Sequence, residues 1–194
     1  MSPHNFILQF AFLYAPLLHM HFTIEQVSPV LYRGLDPSAH EIQLIHDKGI
    51  KTIVSMRTKP ERKKEALCKK LGMNWIHIPT GVLSTPKPEQ FDQFLSVFND
   101  PAKLPVYACC TIDMERSAAY VEAYRMKDQH WTSEQVHDEF TKHHLKRWWP
   151  PFNHYQGVIE KYANAGETQS ASQETISKSA EQSTTETLDK NSHS

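Results

Sequence analysis

An α/β domain built on one mostly parallel sheet, with four to five strands and helices on both faces, is the fold class that this chain predicts. Three observations carry that expectation. Short β-branched or aromatic runs alternate with stretches of helical period, most helical stretches carry start or stop residues, and 39% of the 194 residues are hydrophobic, enough for one buried core. Strands interleaved with helices of this length cannot all pair as hairpins, so the sheet is expected to be parallel and covered on two sides.

Taken in order, Val30-Leu31-Tyr32 reads as the first strand. Asp36 is placed to cap a helix starting at Pro37, with Ile42 and Ile45 turned inward and Gly49 ending it. Thr52-Ile53-Val54 is the next strand, followed by a basic helix within residues 60–71 that Gly72 closes. A third strand covers Trp75 to Ile78. After Pro88, the residues Phe91, Phe94, Leu95 and Phe98 recur at i, i+3, i+4 and i+7, which gives one apolar helix face. Val106-Tyr107-Ala108 is a fourth strand, and Thr132-Ser133-Glu134-Gln135 is a capping-box pattern ahead of Val136 and Phe140. Lys59, Arg62, Lys63 and Lys64 form a charge run expected on a solvated helix face, from which an acidic substrate can be steered at low salt.

The two ends differ from the middle, so the expected division is an apolar extension over residues 1–22, a domain over 23–165 and a tail over 166–194. Phe6 to Leu18 is apolar like the core of a signal peptide, yet no Lys or Arg precedes it and no small-x-small site follows. It reads as a loose extension, a leader or anchor, or a stretch upstream of a working start at Met20. The tail from Gly166 is rich in Ser, Thr, Glu and Gln, and is expected to be disordered because it cannot bury enough apolar surface to offset its ordering entropy. It holds five acids and two bases, which leaves 19 bases against 17 acids in the rest. So even a balance carries no nucleic-acid footprint.

Cys68, Cys109 and Cys110 make a poor disulfide framework, since two are adjacent, and a reducing, cytoplasmic setting is expected over secretion or membrane association. The 12 histidines are scattered without zinc-ligand spacing, so neither metal nor cofactor is expected. His143-His144-Leu145-Lys146-Arg147-Trp148-Trp149 mixes bases with aromatics, and packing by the two tryptophans is the preferred reading over lipid or nucleic-acid contact.

The chemistry concentrates where the strand at Val106 runs into Cys110, and Arg116 opens a helix six positions later. A loop of that length can curl until its backbone N–H groups, from Thr111 through Ile112, Asp113, Met114 and Glu115 to Arg116, converge on one centre, with a helix dipole behind them. Such a nest holds a tetrahedral oxyanion. The same surroundings are expected to favour the Cys110 thiolate, while the planar fork of Arg116 suits two phosphoryl oxygens. Ser117 is placed to donate a hydrogen bond to the Cys110 sulfur as it departs. Cys109 should point to the opposite side of the strand and act as a small core hydrophobe. Cys68 is the candidate resolving thiol, if geometry allows.

Cys110, five residues, then Arg116-Ser117 resembles the signature loop of protein-tyrosine and dual-specificity phosphatases, His-Cys-x-x-Gly-x-x-Arg-Ser/Thr. Leu31-Tyr32-Arg33-Gly34-Leu35-Asp36-Pro37 is similar to the family's LYRGxxP strand-turn, and residues 49–57 to its GIKTVINLR strand. His77-Ile78-Pro79, the phenylalanine-rich helix, Asn99-Asp100-Pro101-Ala102 and Ala123-Tyr124-Arg125-Met126 follow in the order of bacterial-type members. The resemblance covers roughly residues 27–163 in one register and implies a cysteine-dependent phosphatase fold.

Three positions depart from the pattern. Asp113 stands where the loop has Gly, Cys109 where it has His, and Val82 where a separate loop would carry the acid that protonates the leaving oxygen. Glu115, just before the signature Arg as in some phosphoinositide-directed relatives, is the first substitute acid and Asp113 the second; otherwise Glu115 orients Arg116 or faces solvent.

The resemblance therefore implies hydrolysis of phosphomonoesters, on a protein or on an inositol or lipid phosphate, by a monomer with no obligate membrane partner. Catalysis is expected from Cys110, Arg116, Ser117, Glu115 and Asp113, with phosphate held by residues 111–116. The alternatives are a phosphate-binding module with little or no turnover and, against the weight of Arg116, a rhodanese-like sulfurtransferase.

Overall fold

The structure is a computed structural model and describes residues 22–81, 84–111, 116–143 and 157–164. The expectations for the extension before Phe22, the tail from Gly166 and the paired tryptophans lie outside those residues.

Five strands form one sheet in the order β1-β2-β5-β3-β4: β1 Glu25–Ser28, β2 Leu31–Leu35, β3 Thr52–Ser55, β4 Asn74–His77 and β5 Val106–Cys110. All neighbours are parallel except β1 and β2, which run antiparallel. The expected sheet is there, with β1 added at its edge. That strand escaped sequence reasoning because Glu25-Gln26-Val27-Ser28 holds a single large apolar side chain and no alternation to notice.

Helices α1 Ala39–Asp47 and α2 Arg62–Lys70 cover one face. On the other lie α3 Pro88–Ser96, α4 Arg116–Asp128 and α6 over residues 157–164, with α5 Ser133–His143 against α4. The start of α1 corrects one expectation. Its cap is Ser38, whose Oγ accepts from Glu41 N at 3.4 Å while the Glu41 carboxylate accepts from Ser38 N at 2.6 Å. Asp36 is drawn away by two cations, since it pairs with Arg57 and with Lys64 Nζ at 2.5 Å. Lys64 thereby leaves the solvated face expected for it, whereas Lys59, Arg62 and Lys63 stay exposed. Gly49 and Gly72 end their helices at φ of 86° and 73°, a left-handed turn that a side chain disfavours. Thr132 and Gln135 form the expected capping box at α5.

The strand period of two splits the core. Val106, Ala108 and Cys110 of β5 pack with Phe91 and Phe94 of α3 and with Tyr120 and Tyr124 of α4. Tyr107 and Cys109 pack with Ile42 and Ile45 of α1 and Cys68 of α2. At Gly34 the backbone approach is close: a Cβ there would stand 2.3 Å from Tyr107 Oη and 2.4 Å from Thr23 O. Tyr107 Oη donates to Leu35 O at 2.8 Å, so the glycine lets the central strand's tyrosine tie down the end of β2.

Candidate active site

β5 is the central strand, and its carboxyl end meets the amino end of α4, the place where parallel sheets offer a ligand both a crevice and free N–H groups. Cys110 is buried there, with Sγ 3.3 Å from Ser117 Oγ in the first turn of α4. The sulfur and the hydroxyl thus meet as the spacing requires. Ile112, Asp113, Met114 and Glu115, together with Val82, lie outside the described residues, so the expectations for them rest on sequence.

Arg116 is 5% exposed and held from three directions. Nη1 donates to Met56 O at 3.2 Å and to Thr80 O at 3.3 Å, and Nη2 donates to Thr111 Oγ1 at 2.8 Å. Met56 follows β3 and Thr80 follows β4. The guanidinium is therefore fixed by residues that follow three neighbouring strands, β3, β4 and β5. Thr80 is itself buried at 1% exposure, with Oγ1 2.7 Å from Tyr120 Oη and donating to Ile78 O at 3.2 Å, while its carbonyl also accepts from Thr58 Oγ1 at 3.2 Å. None of Met56, Thr58, Thr80 and Tyr120 was singled out from sequence. Carbonyl acceptors carry no residue signature; Tyr120, four residues after Arg116 and so on the same helix face, was the one position that spacing could have flagged.

Cys109 points the other way, next to a charged cluster. Asp36 and Glu61 pair there with Arg57 and Lys64, and Ser55 Oγ donates to Glu61 Oε2 at 3.2 Å. Burial pushes the Cys109 thiol well above its ordinary pKa, and the negative field of Asp36 adds to the rise. Around Lys64, burial works against the charge, but its bonds to Asp36 and Glu61 outweigh it and raise the pKa. Cys68 is pushed up to about 11 by burial. Two of the three thiols are thus core groups, and all three cysteines are free.

A buried cysteine at the end of the central strand, seven residues before a serine at its sulfur, with a buried arginine at the helix start, has the fold and layout of a protein-tyrosine-phosphatase-like site. A sequence profile of the family described as "DSP-PTPase phosphatase fused to NAD+ Kinase" matches residues 13–149, and the chain belongs to that family. Among curated proteins nothing matches the chain.

Solved structures similar to it include the core catalytic domain of the PP-IP phosphatase SIW14 from S. cerevisiae, in complex with citrate. It is 17% identical, with a TM-score of 0.65 over 78% of this chain and 92% of that one. TpbA of P. aeruginosa is 19% identical, with a TM-score of 0.62 over 74% and 90%. PTPMT1 is 16% identical, with a TM-score of 0.62 over 77% and 99%. At such identities these likenesses speak for the fold.

Proposed function

We propose that the protein hydrolyses phosphomonoesters through a cysteinyl-phosphate on Cys110. The observation that carries this reading is the meeting of Cys110 Sγ and Ser117 Oγ at 3.3 Å beside an Arg116 held by Met56 O, Thr80 O and Thr111 Oγ1. The sulfur attacks phosphorus, an S–P bond forms and the P–O bond to the leaving group breaks. The departing oxygen takes a proton from Glu115, with Asp113 or a water as the alternative donor. Arg116 and the N–H groups of residues 111–116 hold the equatorial oxygens, where charge is greatest in the transition state. A second water then cleaves the S–P bond to give inorganic phosphate, and Ser117 eases the departure of the sulfur by hydrogen bonding. No cofactor or metal enters these steps.

The substrate is a phosphorylated protein or an inositol or lipid phosphate, met by a monomer in the cytoplasm. The likeness to a protein described as a PP-IP phosphatase supports including inositol phosphates beside phosphotyrosine, phosphoserine and phosphothreonine peptides in a substrate panel. Among the described residues no helix is long and apolar enough to cross a membrane.

Hydrolysis of an activated aryl phosphate, inhibited by vanadate, is the expected activity. Undiminished turnover by Cys110→Ser would remove the mechanism. The sequence favours one competing reading, because Val82 and Asp113 replace the family's acid and loop glycine: a phosphate-binding protein of weak or no turnover. Loss of a general acid costs ~10²–10⁴ in rate, and least for a good leaving group. If good and poor leaving groups are both inert while vanadate still raises the melting temperature, the binding protein is the correct reading.

A further inference from the structure

Resting on the hydrolase reading, we infer that Tyr120 and Thr80 are positioning residues that aim Arg116 at the substrate's phosphoryl oxygens. A guanidinium has five N–H donors. Three of them go to Met56 O, Thr80 O and Thr111 Oγ1. Among the described residues Nε–H and one Nη2–H stand outside these bonds, donors left for a fork on two oxygens of a phosphate. Bonds from Nη1 to two carbonyls fix the orientation of the guanidinium plane. Anything that shifts the Thr80 carbonyl rotates the fork.

The Thr80 carbonyl is fixed through its own side chain. Thr80 Oγ1 lies 3.2 Å from Ile78 O and 2.7 Å from Tyr120 Oη, so it is held between a carbonyl and a phenol whichever hydroxyl donates in the shorter bond. Tyr120 in turn cannot swing. Its ring is fully buried, with Phe91 and Phe94 at centroid distances of 5.2 and 5.4 Å. Arg116 and Tyr120 sit at i and i+4 of α4, so one helix face carries both the guanidinium and the hydroxyl that fixes its acceptor. The circuit closes on itself: helix to arginine, arginine to carbonyl, carbonyl through its residue's hydroxyl back to the helix. A one-ångström error in such a clamp is costly, because catalysis by positioning falls off steeply with misalignment.

Removal of one neutral hydrogen bond is expected to lower kcat/KM for an aryl phosphate about tenfold. Tyr120→Phe and Thr80→Val should each show this loss and weaken vanadate inhibition in parallel. Thr80→Ser, which keeps the hydroxyl, should restore activity. The double variant should be no worse than the poorer single one, since both break the same bond. Equal turnover of Tyr120→Phe and wild type overturns the inference, as does an additive double variant whose losses follow the fall in melting temperature. Proton exchange at Arg116 Nη1, measured by nitrogen NMR, does not depend on turnover. It should quicken in Tyr120→Phe and Thr80→Val, and unchanged exchange refutes the positioning role even if the wild-type protein proves inert. Inert wild type with quickened exchange in the variants instead refutes the hydrolase reading and leaves the clamp standing.

Discussion

Cys109 and Cys110 are separated by one peptide bond and live in different chemistry. Cys110 faces the aromatic side of the sheet, meets the first turn of α4 and stands by a serine hydroxyl. Its neighbour faces α1 and α2, where burial and the field of Asp36 keep the thiol protonated. A strand's two-residue period is enough to make the difference. Sulfur alone makes neither a nucleophile nor a core filler; the face it is given does.

The charges on the two faces differ in one respect. On the Cys109 side, two acids are matched by two bases, Asp36 and Glu61 with Arg57 and Lys64. On the Cys110 side, burial pushes the Glu122 carboxyl of α4 up to about 8, against the pull of Arg33 and with Glu139 adding to the rise. This face has its own pair in Arg125 and Glu139, and in addition keeps an acid that folding prefers neutral.

The comparison breaks most sharply if the two thiols are exchanged in role. Cys110→Ser should drop aryl phosphatase activity below detection, whereas Cys109→Ala should keep kcat/KM within about threefold and cost about 1 kcal/mol of stability for the lost packing. Loss of activity in Cys109→Ala at unchanged melting temperature would end the division of labour. Arg116→Lys should come next, with a fall of about 10²–10³ in kcat, because an ammonium cannot fill both the carbonyl clamp and a side-on fork. Iodoacetamide at neutral pH, read by peptide mass, should modify Cys110 and spare Cys68 and Cys109, and vanadate should protect it.

The charges give smaller effects of opposite sign. Asp36→Asn should destabilise by about 2 kcal/mol in denaturant titration, since Arg57 and Lys64 lose a part-buried partner. For Glu122 the folded carboxyl titrates at about 8, above the ordinary value of 4.5, so its ionisation opposes folding. That penalty is absent below the unfolded pKa and grows until the folded pKa is passed. Glu122→Gln should therefore match wild type in melting temperature near pH 4 and gain on it steadily toward pH 8. A constant offset across that range would mean that the carboxyl is not the cause.

Several of these features were legible beforehand. The phenylalanines at 91 and 94 point inward as their spacing implied, because an apolar face at helical period has one way to leave water. Cys110, Arg116 and Ser117 were found from a spacing that a short strand-loop-helix imposes on any oxyanion cradle. Asp36 misled for a physical reason. As a cap before Pro37 it competes with Ser38, and two cations 21 and 28 residues away decided the matter. β1 was invisible because an edge strand needs only backbone partners.

Local chemistry, written in residue order, determined which segments are helix or strand, which side of each is apolar, and which cysteine stands before an arginine. Those depend on periods of two and 3.6 and on caps a few residues long. Only the assembled sheet decided what holds that arginine, since Met56 and Thr80 reach it from beyond two other strands, with Tyr120 behind Thr80. Backbone carbonyls have no residue pattern of their own, and contacts between distant segments exist only after the chain has closed around them.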